Sequence, residues 1–244
     1  MQSSEWSPAE QDLLRTIALR VRLVTATQIV RGWFADATNR ERSPEDVIAR
    51  LVTAGLMEHR RTEAHPLLDL RQPLFAWKAG TPEPSDNQLR AIAERSRARW
   101  DQPHQSVEVS LATKRATALF GAFVDARGSR PHEATHDLHL TEVYLVYRRR
   151  FPRLATQWHG EAEFPKMGFE IAHMKDPDAF LIDRTGAATR IIEFAGSYEA
   201  DHLKAFHIHC AGGAARRLAT SGWTKTGSPW ARLYSPVGTS YELW

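Results

Sequence analysis

The sequence predicts a mixed α/β (α+β) chain in two parts. The first is helical and ends in a β-hairpin; the second runs helix, strand, strand, strand, helix, strand. Three observations carry this. Helix-start signatures recur near the N-terminus, at Ser7-Pro8-Ala9-Glu10, Thr25-Ala26-Thr27-Gln28 and Ser43-Pro44-Glu45-Asp46. Two continuous apolar runs, 177–183 and 189–195, flank the turn residues Arg184-Thr185-Gly186-Ala187, the pattern of strands covered on both faces. A Gly/Pro-rich stretch, Ala79 to Ser85, separates the two parts.

Each N-terminal signature is a capping box, in which a hydroxyl and the side chain three residues on satisfy each other's backbone N–H groups. The first opens a helix with Leu13, Leu14, Ile17, Ala18 and Val21 on one side. The second opens a short helix through Ile29, Val30, Trp33 and Phe34. The third opens a helix with Val47, Ile48, Leu51 and Val52, closed at Ala54-Gly55. Leu56 to Arg61 and Leu74 to Lys78 then read as the two strands of a hairpin.

Helix, short helix, helix, hairpin is the order of a winged helix-turn-helix domain, and the Leu51-to-Met57 ending of the third helix resembles those proteins. The resemblance implies that the third helix reads duplex DNA, with Arg40, Arg42 and Arg50 near its exposed side. It puts Arg60 and Arg61 on the wing, against backbone phosphate. Glu45 and Asp46 oppose that role. Such domains also serve as dimerisation modules.

Beyond the linker, Ser85 to Gln88 is a fourth capping box. Its helix carries Leu89, Ile92, Ala93 and Trp100 inward and Arg90, Arg95, Arg97 and Arg99 outward. Val107 to Leu111 alternates as a strand, and 113–123 reads as a short helix. His132, His136 and His139 invite a zinc reading, but their spacing more simply suits a helix start capped by Thr135 or Asp137. Leu140, Val143, Tyr144, Tyr147 and Phe151 form a helical stripe, with Arg148 and Arg149 at its C-terminal end, where cations suit the helix dipole or hold phosphate. A strand follows at 158–164, then the apolar hairpin, a helix over 199–219, and late strands at 231–234 and 241–244. A two-residue turn at Thr185-Gly186 places Asp178 directly opposite Glu193. Facing carboxylates repel unless a cation lies between them. Asp178 and Glu193 are therefore the candidate metal ligands, for Mg²⁺ or Mn²⁺.

That element order, with acids at Asp178 and Glu193, resembles the core of the PD-(D/E)xK nucleases, a restriction-endonuclease-like αβββαβ domain. With the N-terminal part, the chain resembles the replication-relaxation family of plasmids and mobile elements, which join a winged helix to a nuclease-like domain. The resemblance implies domains at 1–80 and 106–244 joined by 81–105. It implies a catalytic set of Asp178, Glu193, a helical acid at Glu142 and a lysine. The nuclease pattern needs Glu-x-Lys, whereas this chain reads Glu193-Phe194-Ala195. Lys204 or Lys175 is the candidate replacement, and Glu161 or Glu163 an alternative acid. His202, His207, His209 and Cys210 do not share one helical side, so a common ion is not expected there.

Composition excludes little. Hydrophobic residues at 42% and charged residues at 25% suit a globular chain rather than a disordered or membrane-embedded one. A net charge of +3, carried mostly by arginine, permits nucleic acid. One cysteine precludes an internal disulfide and suits a reducing, cytoplasmic setting. The expected partners are double-stranded DNA and a second copy of the chain. Three functions stay open. They are a DNA-binding protein of a mobile element with an inactive nuclease-like domain, an active Mg²⁺-dependent endonuclease, and a winged-helix regulator whose C-terminal domain senses a ligand or dimerises.

Overall fold

The computed structural model describes residues 6–35, 43–121, 133–163, 177–213 and 240–244. The N-terminal helices are α1 (Pro8–Leu19), α2 (Ala26–Ile29, continued as a π-turn to Phe34) and α3 (Pro44–Thr53). All four expected capping boxes form: Ser7 with Glu10, Thr25 with Gln28, Ser43 with Asp46, and Ser85 with Gln88. The chain leaves α3 at Gly55 and enters β1 (Met57–Ala64).

The hairpin expected between 56–61 and 74–78 does not form. Instead, β1 pairs antiparallel with β3 (Gln105–Ala112), from Met57 opposite Ala112 to Ala64 opposite Gln105. Val24, between α1 and α2, bridges to Ser110. The strand β2 (Phe75–Lys78) pairs with β7 (Ser240–Leu243) in a different sheet. The reason lies in its side chains. Phe75 and Trp77 need an apolar partner, and they find Tyr241, which stacks on Trp77 with ring centroids 5.7 Å apart. The mostly charged β1 offers them none. The strand before the Gly/Pro stretch thus belongs to the C-terminal sheet, and the strand after it to the N-terminal pair, so strand pairing crosses residue 80 in both directions.

The larger sheet has the order β2-β7-β6-β5-β4. Its middle strands are β5 (Ala179–Ile182) and β6 (Ala188–Glu193), with β4 (Trp158–Gly160) at one edge. The β4, β5 and β6 neighbours are antiparallel, and β7 runs parallel to β6. On one face lies α6 (Ala134–Arg150); on the other pack α4 (Asp86–Arg97) and α8 (Ala200–Ile208), through Leu89, Ile92, Leu203 and Phe206. Two short helices, α5 (Lys114–Leu119) and α7 (Pro152–Ala155), and a π-turn continuing α8 over His209–Gly213 complete the described elements. The late strand expected at 231–234 lies outside the described residues.

The apolar hairpin keeps its expected register by a different route. Ala179 faces Ile192, Phe180 faces Ile191 and Leu181 faces Arg190; continuing this register sets Asp178 across from Glu193. The turn, however, has three residues, closed by the Gly186 N–H on the Asp183 carbonyl at 3.0 Å, with Gly186 at φ 81°. Asp183 Oδ1 fixes it by accepting from the N–H groups of Thr185 and Ala187. The extra residue shifts Ile182 onto Ala188, and a bulge between Leu181 and Ile182 restores the alignment.

The helix α6 is buried around almost its whole circumference, from Asp137 to Tyr147. One side meets the N-terminal helices: Gln28 Nε2 donates to the Leu138 carbonyl, Thr141 donates to the Leu23 carbonyl at 2.6 Å, and Arg20 donates to the Tyr144 hydroxyl at 2.9 Å. The other side meets the sheet: Tyr147 donates to Glu242 on β7 at 2.6 Å, and Arg190 on β6 donates to both groups. The edge strand β4 is pressed against the end of α1, where the Trp158 indole N–H donates to the Arg20 carbonyl at 3.1 Å. A Cβ added at Gly160 would lie 2.3 Å from that same carbonyl oxygen. Backbone cannot yield as a side chain does, so Gly160→Ala is expected to lower stability by about 1–3 kcal/mol. Urea denaturation checks this as a lower midpoint at unchanged slope.

Candidate functional site

The hairpin's open end meets the N-terminus of α6, the end of α4 and the start of α8. Asp178 Oδ2 accepts from the Phe194 N–H at 2.6 Å, which locks the carboxylate to the end of β6. Its Oδ1 lies 3.0 Å from His136 Nε2, and His136 Nδ1 lies 3.6 Å from Asp137 Oδ1. Burial opposes a charge on His136, but the two carboxylates outweigh it and hold its pKa well above the ordinary histidine value. Glu193 is fully buried and accepts from the Tyr198 hydroxyl at 2.7 Å. Tyr198 in turn stacks on His202, with centroids 4.4 Å apart.

A second charged group adjoins Asp178. Arg22 Nη1 lies 3.3 Å from Glu161 and 3.6 Å from Glu133, and its Nε lies 3.8 Å from the buried Asp137. Burial raises the Glu161 pKa; Arg22 lowers it, while Asp137, Asp178 and Glu133 push it up further. Sequence reasoning missed Arg22 and Asp137 as parts of this cluster. The available signal was the spacing of Asp137 and His136 at the start of a helix whose first turn points at the sheet. No side chain caps that helix: Thr135 accepts from the His65 N–H instead, and Asp137 faces Arg22.

The other expected catalytic residues lie elsewhere. Glu142 is buried, but on the side of α6 that faces the N-terminal helices, where it accepts from Gln28 at 2.7 Å and from Arg31. Leu145 and Val146 are also buried, and Leu145 lies against Gly32 in the turn that continues α2. Lys204 is half-exposed and pairs with Asp86 at the start of α4, at 2.8 Å. Lys175 lies outside the described residues. Ala195 is fully buried within the cluster that joins β6 to α4 and α8. His207 is likewise structural, lying 2.8 Å from the Tyr241 hydroxyl and bonded to Glu83.

Asp178 and Glu193 therefore meet in register but have separate partners. Among the described residues no group of three or more His, Cys, Asp or Glu side chains is arranged to hold a metal ion. A divalent cation would have to displace His136 from Asp178, so the side chains as placed do not fit the expected metal site.

The arginines expected to meet DNA divide into two kinds. Arg50 is an internal tie, bonded to the buried Glu10 at 2.6 Å and lying over the Trp6 ring. Arg148 is another, donating to the Gly32 carbonyl and to Asp12 and lying over Trp33. Arg61 is exposed on β1 and pairs across the strands with Glu108 at 3.1 Å. Arg60 is half-buried beside it, and Arg149 is exposed at the end of α6. Arg40 and Arg42 lie outside the described residues. No protein-family model, curated protein or solved structure matches the chain.

His139 is not a ligand but a neutral core residue. Nδ1 lies 2.6 Å from the Thr135 carbonyl, so it carries the proton; Nε2 accepts from the Leu68 N–H at 3.2 Å. Its ring stacks on Phe194, centroids 5.1 Å apart. Burial, assisted by the charges of Arg99 and His136, lowers its pKa to about 4. An unfolded histidine titrates near 6.5. Between those values the unfolded chain takes up a proton that the folded chain refuses, so stability falls as pH drops from about 6.5 to about 4. His136, with its raised pKa, acts oppositely: its contribution is present below about 6.5 and lost as pH rises through the folded value. His139→Gln can keep both hydrogen bonds while removing the titration. Between pH 6.5 and pH 5 the variant is expected to lose roughly 1–2 kcal/mol less than the natural chain, measured by urea denaturation at each pH.

Proposed function

We propose that the chain is a duplex-DNA-binding protein, built as a winged helix joined to an αβββαβ core of restriction-endonuclease type whose catalytic site is degenerate. The observation that carries the reading is the sheet behind the three N-terminal helices. The strands β1 and β3 form a long, partly exposed pair, with Ala64 and Val109 packed against α6, and Val24 adds a third member through its bridge to Ser110. In this reading β1 and β3 are the wing, and Arg61 and Arg60 meet phosphate. Arg50 and Arg148 hold the helices together rather than contacting DNA.

The C-terminal part supports the nuclease-like ancestry through its order α6, β4, β5, β6, α8, β7 and through the placement of Asp178 opposite Glu193. Its own residues argue against cleavage. The lysine position holds buried Ala195, Lys204 is tied to Asp86, Glu142 to Gln28 and Arg31, and Asp178 to His136. No side chain described here is placed to activate water beside both acids. The setting in a plasmid, phage or integrated element, in replication, mobilisation or regulation, rests on the sequence resemblance.

The full chain is expected to bind a labelled duplex with an affinity that falls steeply with salt, and to leave supercoiled and linear DNA uncut in Mg²⁺ or Mn²⁺. Arg60→Ala/Arg61→Ala should reduce the slope of log affinity against log salt by roughly two. Metal-dependent cutting abolished by Asp178→Ala or Glu193→Ala would instead establish the endonuclease. Absence of duplex binding at low salt would overturn both readings.

A further inference from the structure

Four arginines from three separate segments meet at one corner of the surface. Arg31 stands on the π-turn that continues α2, Arg71 on the loop between β1 and β2, and Arg149 and Arg150 on the last turn of α6. Two bonds hold these segments together. Arg148 Nε donates to the Gly32 carbonyl at 2.8 Å, which joins α6 to the residue after Arg31. Arg150 Nη1 donates to the Arg71 carbonyl at 2.6 Å, which joins α6 to the loop. The loop is itself anchored, by the Leu68 N–H on His139 and by the buried Leu70. The backbones that carry the four arginines are therefore fixed relative to one another.

Their side chains are open to solvent. That of Arg71 is 79% exposed and that of Arg31 49%, and Arg149 and Arg150 are exposed as well. Arg71 sets its Nε and Nη2 on Asp69 Oδ2, at 2.8 and 2.6 Å. Those bonds hold the Asp69 carboxyl below the usual carboxylate range, and the charges of Arg149 and Arg31 lower it further. Arg31 also bonds the buried Glu142. Arg149 makes no hydrogen bond or ion pair among the described residues, and Arg150 donates to a carbonyl. Among those residues, four guanidinium groups thus share two carboxylates. The C-terminal end of α6 accounts for Arg149 and Arg150. It does not account for Arg31 and Arg71, which other segments bring to the same place against the repulsion of like charges.

We propose that this corner is a second phosphate contact of the bound duplex, apart from the wing, made by Arg31, Arg71, Arg149 and Arg150, with Asp69 holding the place of a phosphate until DNA arrives. This deepens the DNA-binding reading and rests on it for the source of the phosphate. An exposed carboxylate–arginine pair contributes little to stability, so a phosphate replaces Asp69 on the Arg71 fork at small cost. The planar fork engages two phosphate oxygens at once. Guanidinium groups spread over three segments suit successive phosphates of a strand better than a single small anion, and each phosphate neutralised releases counterions.

The test is duplex binding by the full chain, followed by fluorescence anisotropy over a range of salt. It compares the natural chain with Arg71→Gln/Arg149→Gln, with Asp69→Asn and with Arg90→Gln/Arg184→Gln. The last removes the same charge from exposed positions on α4 and on the hairpin turn. All three variants should melt with the natural chain, since the altered side chains are exposed. Arg71→Gln/Arg149→Gln should bind about tenfold more weakly and reduce the slope of log affinity against log salt by roughly two. Asp69→Asn should bind more tightly, and Arg90→Gln/Arg184→Gln should stay within about twofold of the natural chain. Unchanged affinity and slope in Arg71→Gln/Arg149→Gln, or an equal loss in Arg90→Gln/Arg184→Gln, overturns the site and leaves the DNA-binding reading standing. Unchanged or weaker binding by Asp69→Asn removes the part given to Asp69. Should Arg71→Gln/Arg149→Gln fail to fold, Asp69→Asn decides alone: tighter binding supports the site, and any other result overturns it. Absence of duplex binding at low salt overturns the site together with the DNA-binding reading. Binding to vesicles of anionic phospholipid, lost in Arg71→Gln/Arg149→Gln, would then make the corner a membrane contact instead.

Discussion

Everything else in the fold depends on α6 having no free side. A helix buried around its circumference must satisfy two different surfaces at once, and this one does so by dividing its residues between them. Leu138, Thr141, Glu142 and Tyr144 meet the N-terminal helices, while His136, His139 and Tyr147 meet the sheet. Its polar groups are largely matched by partners from distant parts of the chain. Burying them is tolerable only because those bonds are made, since an unmet buried donor or acceptor costs about 1–3 kcal/mol. The same matching fixes the helix in rotation. A turn of the helix about its axis would break the Tyr147–Glu242–Arg190 group on one side and the Glu142–Gln28–Arg31 group on the other.

That rotational lock also decides the chemistry of the candidate site. With Glu142 committed to the N-terminal helices, the residue α6 presents to the hairpin's open end is His136. Asp178 therefore has a cationic partner already, supplied by the chain itself, while Glu193 is held by the Tyr198 hydroxyl. The arrangement is that of a carboxylate pocket stabilised internally.

Local signals were legible in the sequence wherever local physics decided the outcome. The four capping boxes each use residues three apart and formed as read. The 179–192 pairing was legible because both runs are apolar and one slip would have turned every side chain to the wrong face. The three-residue turn was misread, yet the bulge absorbed the difference. The failures with the largest consequences were non-local. Nothing in β1 itself says that its partner is β3 rather than β2, and choosing required knowing that Tyr241 would stand beside Trp77. The side of α6 that Glu142 occupies was ambiguous because a helix apolar or buried all round has no stripe to orient it. The pairing of Asp178 with His136 depends on that same orientation, so it too was out of reach.

The placement of β2 has a consequence for how the molecule is made. Its partner β7 lies at Ser240–Leu243, with Phe75 opposite Leu243, about two thirds of the chain length away. As the polypeptide emerges during synthesis, the N-terminal helices can make some of their contacts early, such as Glu10 with Arg50 and Asp12 with Trp33. Phe75 and Trp77 lack their strand partner until β7 is released. Long-range strand pairing of this kind slows folding and leaves an apolar edge available to other chains in the interval. The charged β1 beside it and the Gly/Pro stretch that follows then matter before the native state exists: they are poor templates for a wrong partner while the right one is still being translated.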